Sequence, residues 1–83
     1  MSTYGKDDGN MRIAKELYEA LHLKYKHEIL DARARLRIYF ENPVAIGEHP
    51  QHTEEMDKLL EKMAGAEDKK EILERQFKDE YNK

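Results

Sequence analysis

The sequence predicts an all-α protein: an antiparallel two-helix hairpin, coiled-coil-like in its seam, that dimerises into a four-helix bundle. Three observations predict it. Two long segments, residues 11–41 and about 51–81, contain no Pro, and their apolar residues recur at alternating steps of three and four, the repeat of one helix face. A segment with two Pro and a Gly, residues 42–50, lies between them and turns the chain back. Laid antiparallel, the two stripes match each other in size and charge.

The elements follow in chain order. Residues 1–9 hold two Gly, two Asp and almost nothing apolar, which reads as a flexible tail ahead of a hairpin domain over residues 10–83. Asn10 is the expected N-cap, since its side-chain oxygen can accept from an unpaired backbone N–H. Along the first helix, Ala14, Tyr18, Leu21, Tyr25, Ile29, Ala32, Leu36 and Tyr39 form one face. Leu17, Ala20, Leu30, Ile38 and Phe40 widen it beyond a strict two-position seam, which implies contact with more than one neighbouring helix. The helix stops at Asn42-Pro43, because Pro lacks the N–H the ladder needs and disfavours helical geometry in the residue before it.

In the turn, Val44 and Ile46 are expected to fold inward as a plug, and Gly47 supplies the positive φ of a sharp reversal. Pro50 suits the first turn of the second helix with His49 before it, while Thr53 is a competing cap about one turn later. Glu54, Glu55 and Asp57 crowd that helix's start, where the dipole favours negative charge. Its stripe is Met56, Leu59, Met63, Ala66, Lys70, Leu73 and Phe77, with Leu60, Ile72 and Tyr81 beside it. Gly65 is a weak point worth about 1 kcal/mol against Ala.

An antiparallel seam pairs positions whose numbers add to about 95. Tyr39 then meets Met56, Leu36 meets Leu59, Ala32 meets Met63, and Ile29 meets Ala66. Farther along, Leu21 lies near Leu73 and Tyr18 near Phe77. Small faces large through the middle, so the layers interdigitate. Tyr25 falls opposite Lys70, where two amphipathic side chains can pack their stems and send polar tips to water.

Bulk composition explains why one hairpin does not suffice. Of 83 residues, 39% are hydrophobic and 40% charged, with no Trp, so a single chain has little core to bury. Two rods of about 45 Å leave Leu17, Leu30, Ile38, Phe40, Leu60 and Ile72 as exposed apolar strips, and these are the expected oligomer interface. A second copy is the expected partner, because two hairpins packed face to face with two-fold symmetry give the simplest closed core.

Several function classes are excluded or disfavoured. The absence of Cys rules out disulfides and thiolate metal sites. The first residues are too polar for a signal peptide, and no apolar run approaches the roughly 20 residues of a membrane span. The expected location is therefore cytoplasmic, without a membrane partner. A net charge of −3 argues against nonspecific nucleic-acid binding, which needs many uncompensated Lys and Arg. There is no Ser/His/Asp order, phosphate-cradling Gly loop or carboxylate pair in a recognisable pocket. The chain reads as a non-enzyme without a cofactor.

His49 and His52, beside Glu48, Glu54 and Glu55, are the metal-ligand candidates. With no third ligand fixed, the plainer reading is two imidazoles in a polar turn, and no metal is assigned. His22 and His27 point in different directions on a helix and are surface or seam residues. Arg33 and Arg37 share a face and are the candidates for contact with an anion or an acidic partner; the plainer alternative is a solvated face pairing with acidic residues. Tyr18, Tyr25 and Tyr39 lie at seam spacing. They are core by that pattern, or, with Arg33 and Arg37, part of a nucleotide or small-ligand site at an oligomer interface.

The turn Phe40-Glu41-Asn42-Pro43-Val44-Ala45-Ile46-Gly47-Glu48-His49-Pro50, followed by a helix bearing Ala66-Glu67-Asp68-Lys69, resembles small uncharacterised α-helical proteins of tailed bacteriophages, especially contractile-tailed ones. The likeness spans roughly residues 18 to 77. It implies a phage accessory or scaffold protein that binds a host or phage protein, located in the host cytoplasm or in the virion. It supplies no catalytic residues.

Overall fold

The computed structural model describes residues 4–42 and 52–82. They form two α-helices, α1 over Tyr4–Glu41 and α2 over His52–Tyr81, packed against each other, with no strand among the described residues. The packing is antiparallel. His22 meets Glu74, Tyr25 meets Lys69 and Tyr39 meets His52, so early positions of one helix lie beside late positions of the other. The all-helical hairpin expected from the two stripes is therefore the observed fold.

The N-terminal boundary differs from expectation. Helix α1 begins at Tyr4, so the stretch read as a tail through Gly9 is helical from Tyr4 onward, and Asn10 lies inside the helix instead of capping it. No residue between Tyr4 and Asn10 lacks a backbone donor, and Gly costs helix propensity without forbidding the conformation. Once the helix is nucleated, the ladder extends upstream one hydrogen bond at a time. A Cβ added at Gly9 or at Gly65 meets nothing within 4 Å, so neither glycine marks a close approach.

At its other end α1 closes with the Asn42 N–H donating to the Ile38 carbonyl at 2.8 Å, immediately before Pro43. The readings made on Pro43, Val44, Ile46, Gly47, His49 and Pro50 fall outside the described residues. Helix α2 opens with Glu54 and Glu55 in its first turn and carries Lys78 in its last, both matched to the helix dipole. The Asn82 N–H donates to the Lys78 carbonyl at 2.9 Å.

The buried core is thin: Tyr18, Ala32 and Leu36 from α1, Ala66 and Leu73 from α2. Ala32 is fully enclosed and Ala66 nearly so, which places the tightest closure of the seam on two small side chains. The molecule is a rod of 66 × 19 × 16 Å. Its radius of gyration is 18.8 Å, against about 12 Å for a compact domain of this length. Among the described residues no helix is long and apolar enough to cross a membrane.

Candidate functional site

Two rods in contact bury only the stripe between them, so whatever the protein recognises must lie on its flanks. One polar cluster joins the helices toward the end where the chain termini lie. The His22 Nε2–H donates to Glu74 Oε2 at 2.6 Å, and Lys70 Nζ sits 3.1 Å from the same carboxylate oxygen. Tyr18 stacks on His22 with ring centroids 5.8 Å apart and planes 13° from parallel. The hydrogen bond from His22, then that from Lys70, holds the Glu74 carboxyl below its ordinary range. Burial pushes the Tyr18 phenol up; the Glu74 charge adds to this and Lys70 opposes it. The Tyr18 hydroxyl is buried and has no hydrogen-bond partner among the described residues.

This cluster was not visible in the one-face reading, which set His22 aside as a surface or seam residue. The signal was present all the same, since His22 and Glu74 satisfy the seam register on positions that flank the stripe. Tyr25 was expected against Lys70. Instead Lys69 Nζ lies 5.9 Å from the Tyr25 ring centroid, within cation–π range, while Lys70 pairs one turn along its own helix with Glu74.

Near the same end, Ala14, Leu17, Tyr18 and Leu21 of α1 and Leu73, Phe77 and Tyr81 of α2 line an apolar groove of about 260 Å³. The register put Leu21 beside Leu73 and Tyr18 beside Phe77, and all four share this groove. Leu21 and Phe77, however, are exposed where the stripe reading seats them in the seam. With only two helices, nothing among the described residues covers the outer side of the groove. Phe77 stacks on Tyr81, one turn along α2, at 6.2 Å.

The six residues expected at an oligomer interface are all exposed on the single chain. Leu17 is 62% exposed, Leu30 59% and Phe40 70%; Ile38, Leu60 and Ile72 are each 48%. They do not form a single strip. Leu17 borders the terminal groove, and Ile72 lies near it beside Tyr25 and Phe77. Ile38 faces Glu55 and Leu59 at the turn end. Leu30 belongs to two adjoining hollows. One, of about 430 Å³, runs between Lys26, Ile29 and Leu30 on α1 and Glu67, Lys70, Glu71 and Glu74 on α2. The other, of about 390 Å³, continues along α1 past Arg33, Ala34 and Arg37.

Arg33 and Arg37 are thus exposed on one stretch of α1, and neither forms an ion pair among the described residues. Arg35 pairs with Asp31 at 3.0 Å instead. The aromatic rings are engaged within the hairpin: Tyr18 on His22, Tyr25 under Lys69, and Tyr39 edge-on to His52 at 5.5 Å. Of the two candidate metal ligands, His52 opens α2 against Tyr39 and His49 lies outside the described residues. No group of three or more His, Asp or Glu that could hold a metal ion occurs among the described residues.

In comparisons with known proteins, no family model, curated relative or solved structure matches this chain.

Proposed function

We propose that the protein is a non-catalytic helical hairpin that works by association, first with a second copy of itself in a four-helix bundle and then with a protein partner. The observation that carries this reading is the imbalance between core and surface. Among the described residues five hydrophobic ones are buried, while large side chains such as Leu17, Leu30 and Phe40 are more than half exposed. So much large apolar side chain left exposed beside so small a core is what a partner surface would cover. The chain exposes 6589 Å², whereas a compact monomer of this mass exposes about 5,200 Å². That excess exceeds the roughly 800 Å² each partner commits to a standard interface.

The role as a phage accessory or scaffold protein, bound to a host or phage protein, is supported by the resemblance of the Phe40-to-Pro50 segment. The absence of a recognisable catalytic arrangement in the sequence supports a non-enzymatic role. Sedimentation equilibrium or light scattering at micromolar concentration is the test. A helical dimer is expected, and a folded monomer overturns the reading.

A second reading is anion or nucleotide binding at the oligomer interface, favoured by the unpaired Arg33 and Arg37. Saturating a site at about 100 times the dissociation constant adds roughly 2.7 kcal/mol of stability. Thermal melts with nucleotides and inorganic phosphate therefore decide it, and unchanged melting disposes of it.

A further inference from the structure

On α1, Lys26, Leu30, Arg33 and Arg37 follow one another at steps of four, three and four, so they form a single stripe along the outside of the helix. All four are exposed, and none of the three basic residues has an ionic partner among the described residues. On α2, Asp57, Leu60, Ala64, Glu67, Glu71 and Glu74 recur at steps of three and four and form the corresponding stripe. The hollow between Lys26, Leu30 and the glutamates shows that the two stripes border one face of the hairpin. That face has a basic rail on one helix and a mainly acidic rail on the other, where Lys70 is paired with Glu74 and leaves Glu67 and Glu71 in carboxylate excess, with Leu30, Leu60 and Ala64 interspersed.

We propose that this face receives a second copy of the chain, with the turn ends of both copies at the same end of the bundle and α1 of each lying over α2 of the other. The inference rests on the self-association proposed above and specifies its surface and orientation. Two identical faces related by a two-fold axis in their plane have two ways to meet. With the axis along the hairpin, each α1 stripe crosses onto the other copy's α2 stripe at its own height. Lys26 of each copy then faces Glu67 and Glu71 of the other, Arg37 faces Asp57, and Leu30 faces Ala64, a large side chain against a small one. With the axis across the hairpin, α1 lies antiparallel on α1, so the basic stripe of one copy meets the basic stripe of the other in reverse order, and the acidic stripes likewise. Like charges set face to face are strongly disfavoured at an interface, whereas complementary rails fix register and partner.

The test is a pair of measurements on the whole chain. The sequence has no Cys, so Glu54→Cys, on an exposed position near the turn end of α2, carries a single spin label. Labels in the proposed dimer lie below about 25 Å apart; the opposite orientation, with two rods of this length, separates them by about 40 Å. In parallel, Lys26→Glu with Arg37→Glu should weaken dimerisation at least about tenfold. Adding Glu67→Lys and Asp57→Lys to that variant should restore it, with helical circular dichroism confirming that each variant folds. A dimer with labels about 40 Å apart, or one indifferent to the charge reversal, overturns this face and leaves self-association standing. A folded chain still monomeric at about 100 µM removes self-association itself and this face with it.

Discussion

Around Ala32 and Ala66 the two helices close over small side chains that are almost wholly enclosed, whereas around Tyr18 and Leu73, toward the chain termini, much of the apolar material stays outside. Leu17, Leu21 and Phe77 are larger and more hydrophobic than either alanine, yet they are exposed. The difference teaches that burial in a two-helix protein follows angular position and not hydrophobicity. A single neighbour covers only a narrow stripe of each rod, and a small residue within that stripe is buried while a leucine one position off is not. The terminal half therefore leaves leucines and a phenylalanine outside the stripe that one neighbour covers, and the polar cluster of His22, Glu74 and Lys70 joins the two helices there.

The largest test of this contrast sets Leu36, buried in the seam toward the turn end, against Leu17, exposed in the terminal half. Leu36→Ala should lower the unfolding free energy by about 2–5 kcal/mol, the range for truncating an enclosed leucine. Leu17→Ala should stay within about 0.5 kcal/mol in the isolated chain. Urea unfolding at one fixed protein concentration, chosen so that sedimentation shows a monomer, makes the comparison. Equal losses at the two positions would break it.

Much of the fold was legible because it follows from periodicity and from chain-breaking residues. The apolar repeats and the Asn42-Pro43 stop locate two helices, and the register brings Leu21 with Leu73 and Tyr18 with Phe77. The helical stretch from Tyr4 was not legible, because its composition gives no repeat and the helix there needs only an unbroken row of backbone donors. The pair of His22 and Glu74 was missed for a different reason: a stripe argument weighs apolar positions, and this contact lies between polar residues flanking the stripe. Arg33 and Arg37 were legible as an exposed basic pair. That Lys26 and Leu30, on the same stripe as this pair, border a hollow with Glu67, Glu71 and Glu74 depends on how the helices are rotated about their axes, which periodicity leaves free.

A smaller effect is expected at Tyr18. Its hydroxyl is buried without a hydrogen-bond partner among the described residues, and an unsatisfied buried polar group is costly. Tyr18→Phe keeps the ring stacked on His22 and removes that cost, so the variant should be more stable than the parent chain, as urea unfolding at neutral pH will show. The raised phenol also contributes stability that is complete below its unfolded value of 10.0 and is lost as pH rises through the folded value. The variant should therefore lose less stability above pH 10 than the parent chain. A destabilised Tyr18→Phe would show that the hydroxyl is satisfied in solution.

The smallest expected effect, and the most specific, is at Glu74. Its carboxyl titrates below the ordinary value of 4.5 because His22 and Lys70 favour the charged form. The folded chain therefore binds this proton less readily than the unfolded one, so the contribution is present above the unfolded value and disappears as pH falls through the folded value. The side chain is about one-third exposed, and solvent screening limits such a pair to about 1 kcal/mol or less. Glu74→Gln keeps an oxygen to accept from His22 but removes the charge that both partners face. At neutral pH the variant should be slightly less stable than the parent, and below pH 4.5 the two should converge, which unfolding curves across the acid range will show. Parallel curves with a constant gap would mean that the residue acts through packing alone. The cross-helix bond would then be no clamp, and the terminal half of the hairpin would depend on a second copy to stay closed.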